Sequence, residues 1–283
     1  MSESKTVAVP ALPARPADGH KGTFGTVVVV GGSVRMPGAP ALCALAAFRG
    51  GAGLVKVAAP RKVLASVLRY HPSVTGMGRS GLERVRGDGR SVLAVGPGLG
   101  QGERAGEIVE RLLAYQNPLV LDADGLNLLA ERGLDRRGGG PWVLTPHPGE
   151  YRRLAEARGL EGDPIDPERR PEAARGLSEA TGGVVVLKGQ HTLVAEGRRL
   201  FRNTTGNPSL STAGSGDVLT GLIAALMAQG LAAFEAAVLG VHLHGRAADH
   251  WAAEHGPRGM TAPELADRLL PAMVEHDRQL SAG

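Results

Sequence analysis

Short apolar runs punctuate the chain at Thr26–Val30, Leu54–Ala58, Val92–Val95, Leu119–Leu121, Trp142–Leu144 and Val184–Leu187. Most are uninterrupted by polar residues, which is the pattern of strands buried on both faces. Segments with helical spacing lie between them. Pro40–Arg49 opens with proline in its first turn and stops at Gly50-Gly51; Arg104–Tyr115, Asp124–Ala130, Gly149–Arg158 and Pro171–Ala180 follow. Strand–helix alternation predicts an α/β fold, a mostly parallel central sheet with helices on both faces. The pattern then changes. His191–Ala195 and Arg199–Asn203 read as two short antiparallel strands around Glu196-Gly197. Three helices are expected after them, over Asp217–Gln229, Ala232–His255 and Pro263–Gln279. Residues 1–18 are rich in Pro and Ala without periodicity and read as an N-terminal arm. Residues 19–283 show no repeat and no linker and read as a single domain.

A chain of 283 residues, 42% hydrophobic and 21% charged, can bury a sizeable core and does not have the composition of a disordered protein. No stretch reaches the length of a membrane-spanning helix, and the N-terminus lacks an apolar run of signal-peptide length. Cys43 is the only cysteine, which excludes an internal disulfide and argues against a cysteine-based zinc site. A reducing cytoplasm is the expected location, with no membrane partner. The net charge of +4 is a small excess, and only 3% of residues are aromatic, so nucleic acid is not an expected partner. Five of the 32 basic residues are lysines, and the arginines are expected mostly on the solvated surface. Lys188 is the only lysine after residue 62.

Parallel sheets bind ligands at the carboxyl ends of their strands, and the unusual residues gather in those loops. Ser211–Asp217 leads through small residues into a helix. Its glycines let backbone N–H groups approach an anion, and the helix start adds free donors. Asp217 is then either a first-turn residue favoured by the helix dipole or a base beside an anion hole. The long glycine-rich approach favours the base. No P-loop is present, and Gly96-Pro97-Gly98-Leu99-Gly100-Gln101-Gly102 does not have the dinucleotide spacing. Lys188 ends a buried strand; it is either a snorkelling surface lysine or a phosphate or ribose contact, and its strand-end position favours the contact. His242 and His244 stand two apart on a helix and cannot share a metal ion. His147 sits between two prolines ahead of Glu150, either aimed at the cleft or satisfied within a turn.

Taken together, these motifs resemble the ADP-dependent NAD(P)H-hydrate dehydratase family, a branch of the ribokinase-like fold. The resemblance runs from His20 to about Met273. It is carried by His20–Gly25, Gly31-Gly32-Ser33, Pro37-Gly38-Ala39, Arg49–Val55, Gly96–Gly100, Leu121–Asp124, Leu144–Glu150, Leu187-Lys188-Gly189, Gly206-Asn207-Pro208, Gly214–Gly221 and His244-Gly245. The Lys21-Gly22 segment, the Gly-Pro-Gly-Leu-Gly loop and the Thr-Pro-His-Pro-Gly-Glu loop are more specific than Gly214–Asp217 alone.

The resemblance implies a hydro-lyase that repairs reduced nicotinamide cofactors hydrated at ring carbon 6. It phosphorylates the hydroxyl of the S epimer of hydrated NADH or NADPH from ADP and eliminates phosphate. It also implies Mg2+, a homotetramer and cooperation with a separate epimerase. The epimerase domain sometimes fused N-terminally is expected to be absent here. By position, Asp217 matches the catalytic aspartate and a substrate contact. Gly214, Ser215 and Gly216 match the anion hole, with Gly216 also near the nucleotide. Lys188, Gly189, Gln190, His191 and Thr192 match the nucleotide-binding segment, and Ala39, Gly98 and His147 the hydrated-cofactor pocket. Glu150 matches an acidic position that acts indirectly on magnesium. Two departures stand out: Ala213 where glycine is usual, and Gln190-His191 in place of smaller residues. The alternatives are a ribokinase-like kinase acting on a vitamin precursor hydroxyl, which usually carries asparagine at the position of His147, and a non-catalytic nucleotide-binding protein.

Overall fold

Nine strands hydrogen-bond into one sheet in a computed structural model that describes residues 7–281. The strands are β1 (Thr26–Val30), β2 (Leu54–Ala58), β3 (Thr75–Met77), β4 (Ser91–Val95), β5 (Leu119–Leu121), β6 (Trp142–Leu144), β7 (Val184–Leu187), β8 (Leu193–Glu196) and β9 (Arg199–Arg202). Their order is β3-β2-β1-β4-β5-β6-β7-β8-β9. All pairings up to β7 are parallel, and β7–β8 and β8–β9 are antiparallel. The chain moves outward from β1 to β3 and returns on the other side at β4. That reversal opens a crevice at the carboxyl ends of β1 and β4, where Gly31–Ser33 and Gly96–Gly100 lie.

The helices are α1 (Ala39–Arg49), α2 (Arg61–Tyr70), α3 (Glu103–Leu113), α4 (Asp124–Glu131), α5 (Pro148–Ala157), α6 (Arg170–Thr181), α7 (Ser215–Ala228), α8 (Ala233–His255) and α9 (Ala262–Ser281). They cover both faces, as the alternation of strands and helices predicts. Val27 and Val29 of β1 face a core shared with α1, α2, α7, α8 and α9, whereas Val28 and Val30 face one shared with α3, α4, α5 and α6. Helix α7 is apolar nearly all round because it is buried nearly all round. Gly221 lets it approach α1 closely: a Cβ there would stand 2.1 Å from the Cys43 carbonyl oxygen. No described helix is long and apolar enough to cross a membrane.

The segment α2–β3 and the 3-10 turn after it, Arg79–Val85, are missing from the sequence reading. Strand β3 is a three-residue edge strand, Thr-Gly-Met, and leaves no apolar run to recognise. Strand β8 begins at Leu193, two residues later than its sequence pattern, because His191 has φ +53, which a strand does not accept. Strand β9 stops at Arg202; Asn203 N still donates to the Thr192 carbonyl at 2.9 Å, and its side chain bonds the carbonyls of Thr205 and Val241. Several arginines depart from the solvated-surface expectation, Arg136 and Arg170 among them. Arg136 donates to the carbonyls of Leu112, Leu113, Asn117 and Gly140, and Arg170 is buried. Of the arm, residues 1–6 lie outside the described residues. Val7, Val9 and Leu12 pack on the core, and the Pro10 carbonyl meets His276 Nε2 at 2.8 Å.

Candidate active site

The ends of β5, β6 and β7 and the start of α7 converge on one cluster of charges. β5 runs out into Asp122, and Ala123 (φ 49, ψ −121) reverses the chain sharply into α4. Non-glycine residues seldom hold that conformation. Its effect is to leave Asp122 at the strand end and Asp124 in the first turn of α4. Asp122 is buried. Its Oδ1 accepts from Lys188 Nζ and its Oδ2 from Thr220 Oγ1, both at 2.8 Å. Lys188 also stands 3.7 Å from Glu150 Oε2. The lysine is therefore no surface residue; its ammonium is held between two buried carboxylates. Burial works against its charge, but Asp122 and Glu150 together hold its pKa above the usual lysine value. Burial pushes Glu150 up, with Lys188 opposing.

Asp217 occupies the first turn of α7, after Gly214 with φ +90. Burial, reinforced by the charge of Asp122 and opposed by Lys188, lifts its pKa from 3.8 to about 7. No side-chain capping bond closes this helix start; Ser215 N donates to the Thr212 carbonyl at 3.4 Å, and the N–H groups of Gly216 and Asp217 stay open to an anion. A Cβ on Gly216 would lie 3.4 Å from Lys188 Nζ and 3.6 Å from Asp122 Oδ2, which sets the lysine beside this helix start. His244 from α8 is buried, and its Nε2 meets the Ser215 carbonyl at 2.9 Å. Burial, with Lys188 adding to it, lowers its pKa to about 4. It is a neutral donor that braces the loop. No group of three His, Cys, Asp or Glu among the described residues could hold a metal ion by itself.

The start of α7 has different surroundings on its two sides. On one side a cavity of about 490 Å³ is lined by all five residues of Lys188–Thr192, by Ser215 and Gly216 at the helix start, and by Asn207, Ser211 and His244. On the other side the start of α1 meets the Gly96–Gly100 loop: a Cβ on Gly98 would stand 3.0 Å from that of Ala39. A Cβ on Gly214 would lie 2.5 Å from Leu42 Cδ1 and 3.8 Å from Asp217 Oδ2, so α1 also borders the aspartate. Asp124 fastens the glycine loop by accepting from Gly100 N (2.8 Å) and Gln101 Nε2 (2.9 Å). Gly96 has φ +120, and a Cβ there would fall 1.8 Å from the Asp122 carbonyl. Only glycine lets these two loops touch.

His147 is the N-cap of α5. Its Nδ1 accepts from Gly149 N at 3.0 Å, and its backbone N donates to Glu150 Oε2 at 2.8 Å, a reciprocal capping box. The turn alternative thus describes one ring nitrogen. The other, Nε2, lies 3.4 Å from Glu150 Oε1 on a half-exposed ring beside the charge cluster. Sequence reasoning missed Asp122 as a site residue, and also Thr220, Asn207 and His244. Asp122 had a signal, since it directly follows a buried strand. Thr220 had none, being one polar residue in an apolar helix.

A model of the NAD(P)H-hydrate dehydratase family matches residues 27–271. The chain belongs to that family. It is 40% identical to the ADP-dependent (S)-NAD(P)H-hydrate dehydratase of Neisseria meningitidis, over 92% of this chain and 87% of that protein. It is 42% identical to the bifunctional NAD(P)H-hydrate repair enzyme of Moorella thermoacetica, over 94% of this chain and 52% of the relative. The chain spans about half the length of such bifunctional relatives. Among solved structures it resembles the ADP/ATP-dependent NAD(P)H-hydrate dehydratase of Bacillus subtilis co-crystallised with ATP/Mg2+, at 33% identity and a TM-score of 0.83, covering 94% of this chain and 95% of that one. It also resembles a ribokinase-like superfamily protein of Enterococcus faecalis, at 27% identity and a TM-score of 0.82, covering 94% of this chain and 92% of that one, which agrees with the fold the sequence motifs imply.

Proposed function

We propose that this chain dehydrates the S epimer of hydrated NADH or NADPH, with ADP as phosphoryl donor and co-substrate. The observation that carries the reading is Asp217, a half-buried carboxylate whose pKa is raised to about 7, at a glycine-lined helix start beside a cavity. Water is a poor leaving group from ring carbon 6, and phosphate is a good one. Asp217 takes the proton of the C6 hydroxyl, the hydroxyl oxygen attacks the β-phosphorus of ADP, and AMP departs. The N–H groups of Gly214–Gly216 and the Lys188 ammonium stabilise the charge on the transferring group. The ring nitrogen lone pair then expels phosphate. Loss of the C5 proton restores the reduced nicotinamide. Lys188–Thr192 hold ADP, and Ala39, Gly98 and His147 face the hydrated ring.

Magnesium fits as an ion held mainly by phosphate oxygens, the usual mode for this ion. Both oxygens of Asp122 already have donors and Glu150 Oε2 accepts from His147 N, so Glu150 would reach it through water. The ion would neutralise phosphate charge. We place with this reading a homotetramer, a cytoplasmic location and a separate epimerase supplying the S epimer. The test is to add ADP and Mg2+ to acid-hydrated NADH and follow the absorbance of the reduced nicotinamide. Its return supports the reaction. No return, with turnover of a vitamin precursor alcohol and a nucleoside triphosphate instead, would make the chain a small-molecule kinase.

A further inference from the structure

Arg170, the first residue of α6, has no task in the reaction above. It is buried, and its guanidinium donates to the carbonyls of Leu187 (3.1 Å), Lys188 (3.3 Å) and Gln190, while its Nε is buried with no acceptor. Its partners among the described residues are all carbonyls, and the neighbouring charge that acts on it is another cation, Arg202. A buried guanidinium without an acid is costly to the fold. This one lies directly behind the Lys188–Thr192 wall of the cavity.

In a planar trans peptide the N–H points opposite to the preceding C=O. Turning the Lys188 and Gln190 carbonyls into Arg170 therefore turns the N–H groups of Gly189 and His191 the other way. Neither N–H has an acceptor among the described residues, and both residues line the cavity. The backbone is held in uncommon conformations to achieve this. Gly189 has φ +137, with a Cβ position 3.1 Å from Arg170 Nη2, and His191 has φ +53.

We propose that Arg170 is a positioning residue for the phosphate chain of a nucleoside diphosphate. It turns two backbone N–H groups toward the cavity and adds its own uncompensated charge to the Lys188 side of the site. The inference rests on the nucleotide reading of Lys188–Thr192 given above.

The experiment is calorimetric titration of the intact protein, of Arg170→Met and of Arg170→Lys, with ADP and with adenosine, beside steady-state KM values for ADP and hydrated NADH. Arg170→Met is expected to weaken ADP by about tenfold or more, through loss of charge and of the three-carbonyl fork. Adenosine binding and the KM for hydrated NADH should stay within about twofold, which a general loosening of the fold would not allow. Arg170→Lys restores the charge without the fork and should recover part of the loss. Unchanged ADP affinity in Arg170→Met, or equal losses for ADP and adenosine, would overturn the proposal. If Arg170→Met does not fold, Arg170→Lys decides: weaker ADP with unchanged adenosine supports the role, and parental affinity for both refutes it. A parent that binds ADP but cannot dehydrate hydrated NADH refutes the reaction and leaves this anchor standing.

Discussion

Asp217→Asn separates what the carboxylate does for chemistry from what it costs the fold. Burial and the nearby Asp122 raise the pKa of Asp217 from 3.8 to about 7. Each factor of ten in that ionisation constant is about 1.4 kcal/mol against the charged form, so the whole is on the order of 4 kcal/mol. The sign follows from linkage. A carboxyl whose folded pKa is raised contributes stability that is full below about pH 4 and is lost as pH rises through about 7. Asparagine has the same shape and no charge to bury. Asp217→Asn should therefore exceed the parent in stability, by a margin that grows between about pH 4 and pH 7 and then levels off at a few kcal/mol. The same variant should lose about 100- to 10,000-fold in turnover, since an amide cannot accept the hydroxyl proton. In the parent, activity should rise with pH through about 7 as the base loses its proton, leaving about one-tenth of the plateau at pH 6. Urea unfolding at several pH values and initial rates on hydrated NADH measure both effects. A variant no more stable than the parent at pH 8 would show that burial does not burden Asp217. Turnover within a few-fold of the parent would remove its role as base.

Other perturbations read other contacts. Lys188→Ala leaves Asp122 and Glu150 buried without their cation, a loss of about 3–5 kcal/mol at neutral pH that should shrink in acid as the already raised Glu150 takes a proton; calorimetry should show ADP weakened more than hydrated NADH, and equal losses would count against its placement. Asp122→Asn keeps the shape and removes the charge that adds to the burial-driven rise of Asp217, so the acidic limb of the rate profile should move to lower pH; an unmoved limb would separate the two aspartates. His147→Ala should raise the KM for hydrated NADH about three- to tenfold and leave that for ADP nearly unchanged, the worth of one hydrogen bond. His147→Asn keeps an N-cap and adds the residue usual in vitamin kinases; if it binds hydrated NADH as tightly as the parent, His147 is not the discriminating residue.

The fold was legible where strands are buried on both faces, because a short unbroken run of β-branched residues such as Val27–Val30 suits a central strand far better than a helix or a loop. It was illegible at β3, where an exposed Thr-Gly-Met edge strand carries no apolar signal. Among candidate site residues, Asp217, Lys188 and the glycine loops announced themselves by residue type at strand and helix ends. Asp122 stood in the same kind of loop. Its partners, however, come from β7 and α7, and local pattern cannot reveal which carboxylate a distant lysine will choose. Arg170 lay hidden for a related reason. In a chain with 27 arginines, residue type says nothing about which one is buried, and only the path of α6 behind β7 decides it.

Asp122 is held by Lys188, 66 residues onward, and by Thr220, 98 residues onward. Contacts of such sequence span close long loops and are entropically slow to form. During synthesis β5 emerges well before α7, so its terminal carboxylate must wait without either partner. The candidate site is then complete only once β5, β7 and α7 are all in place. Under the proposed function, a nucleotide that needs this cluster would bind tightly only after these elements have met. Its appearance as a tight ligand during refolding would time the final step, separately from the earlier gain of helical signal.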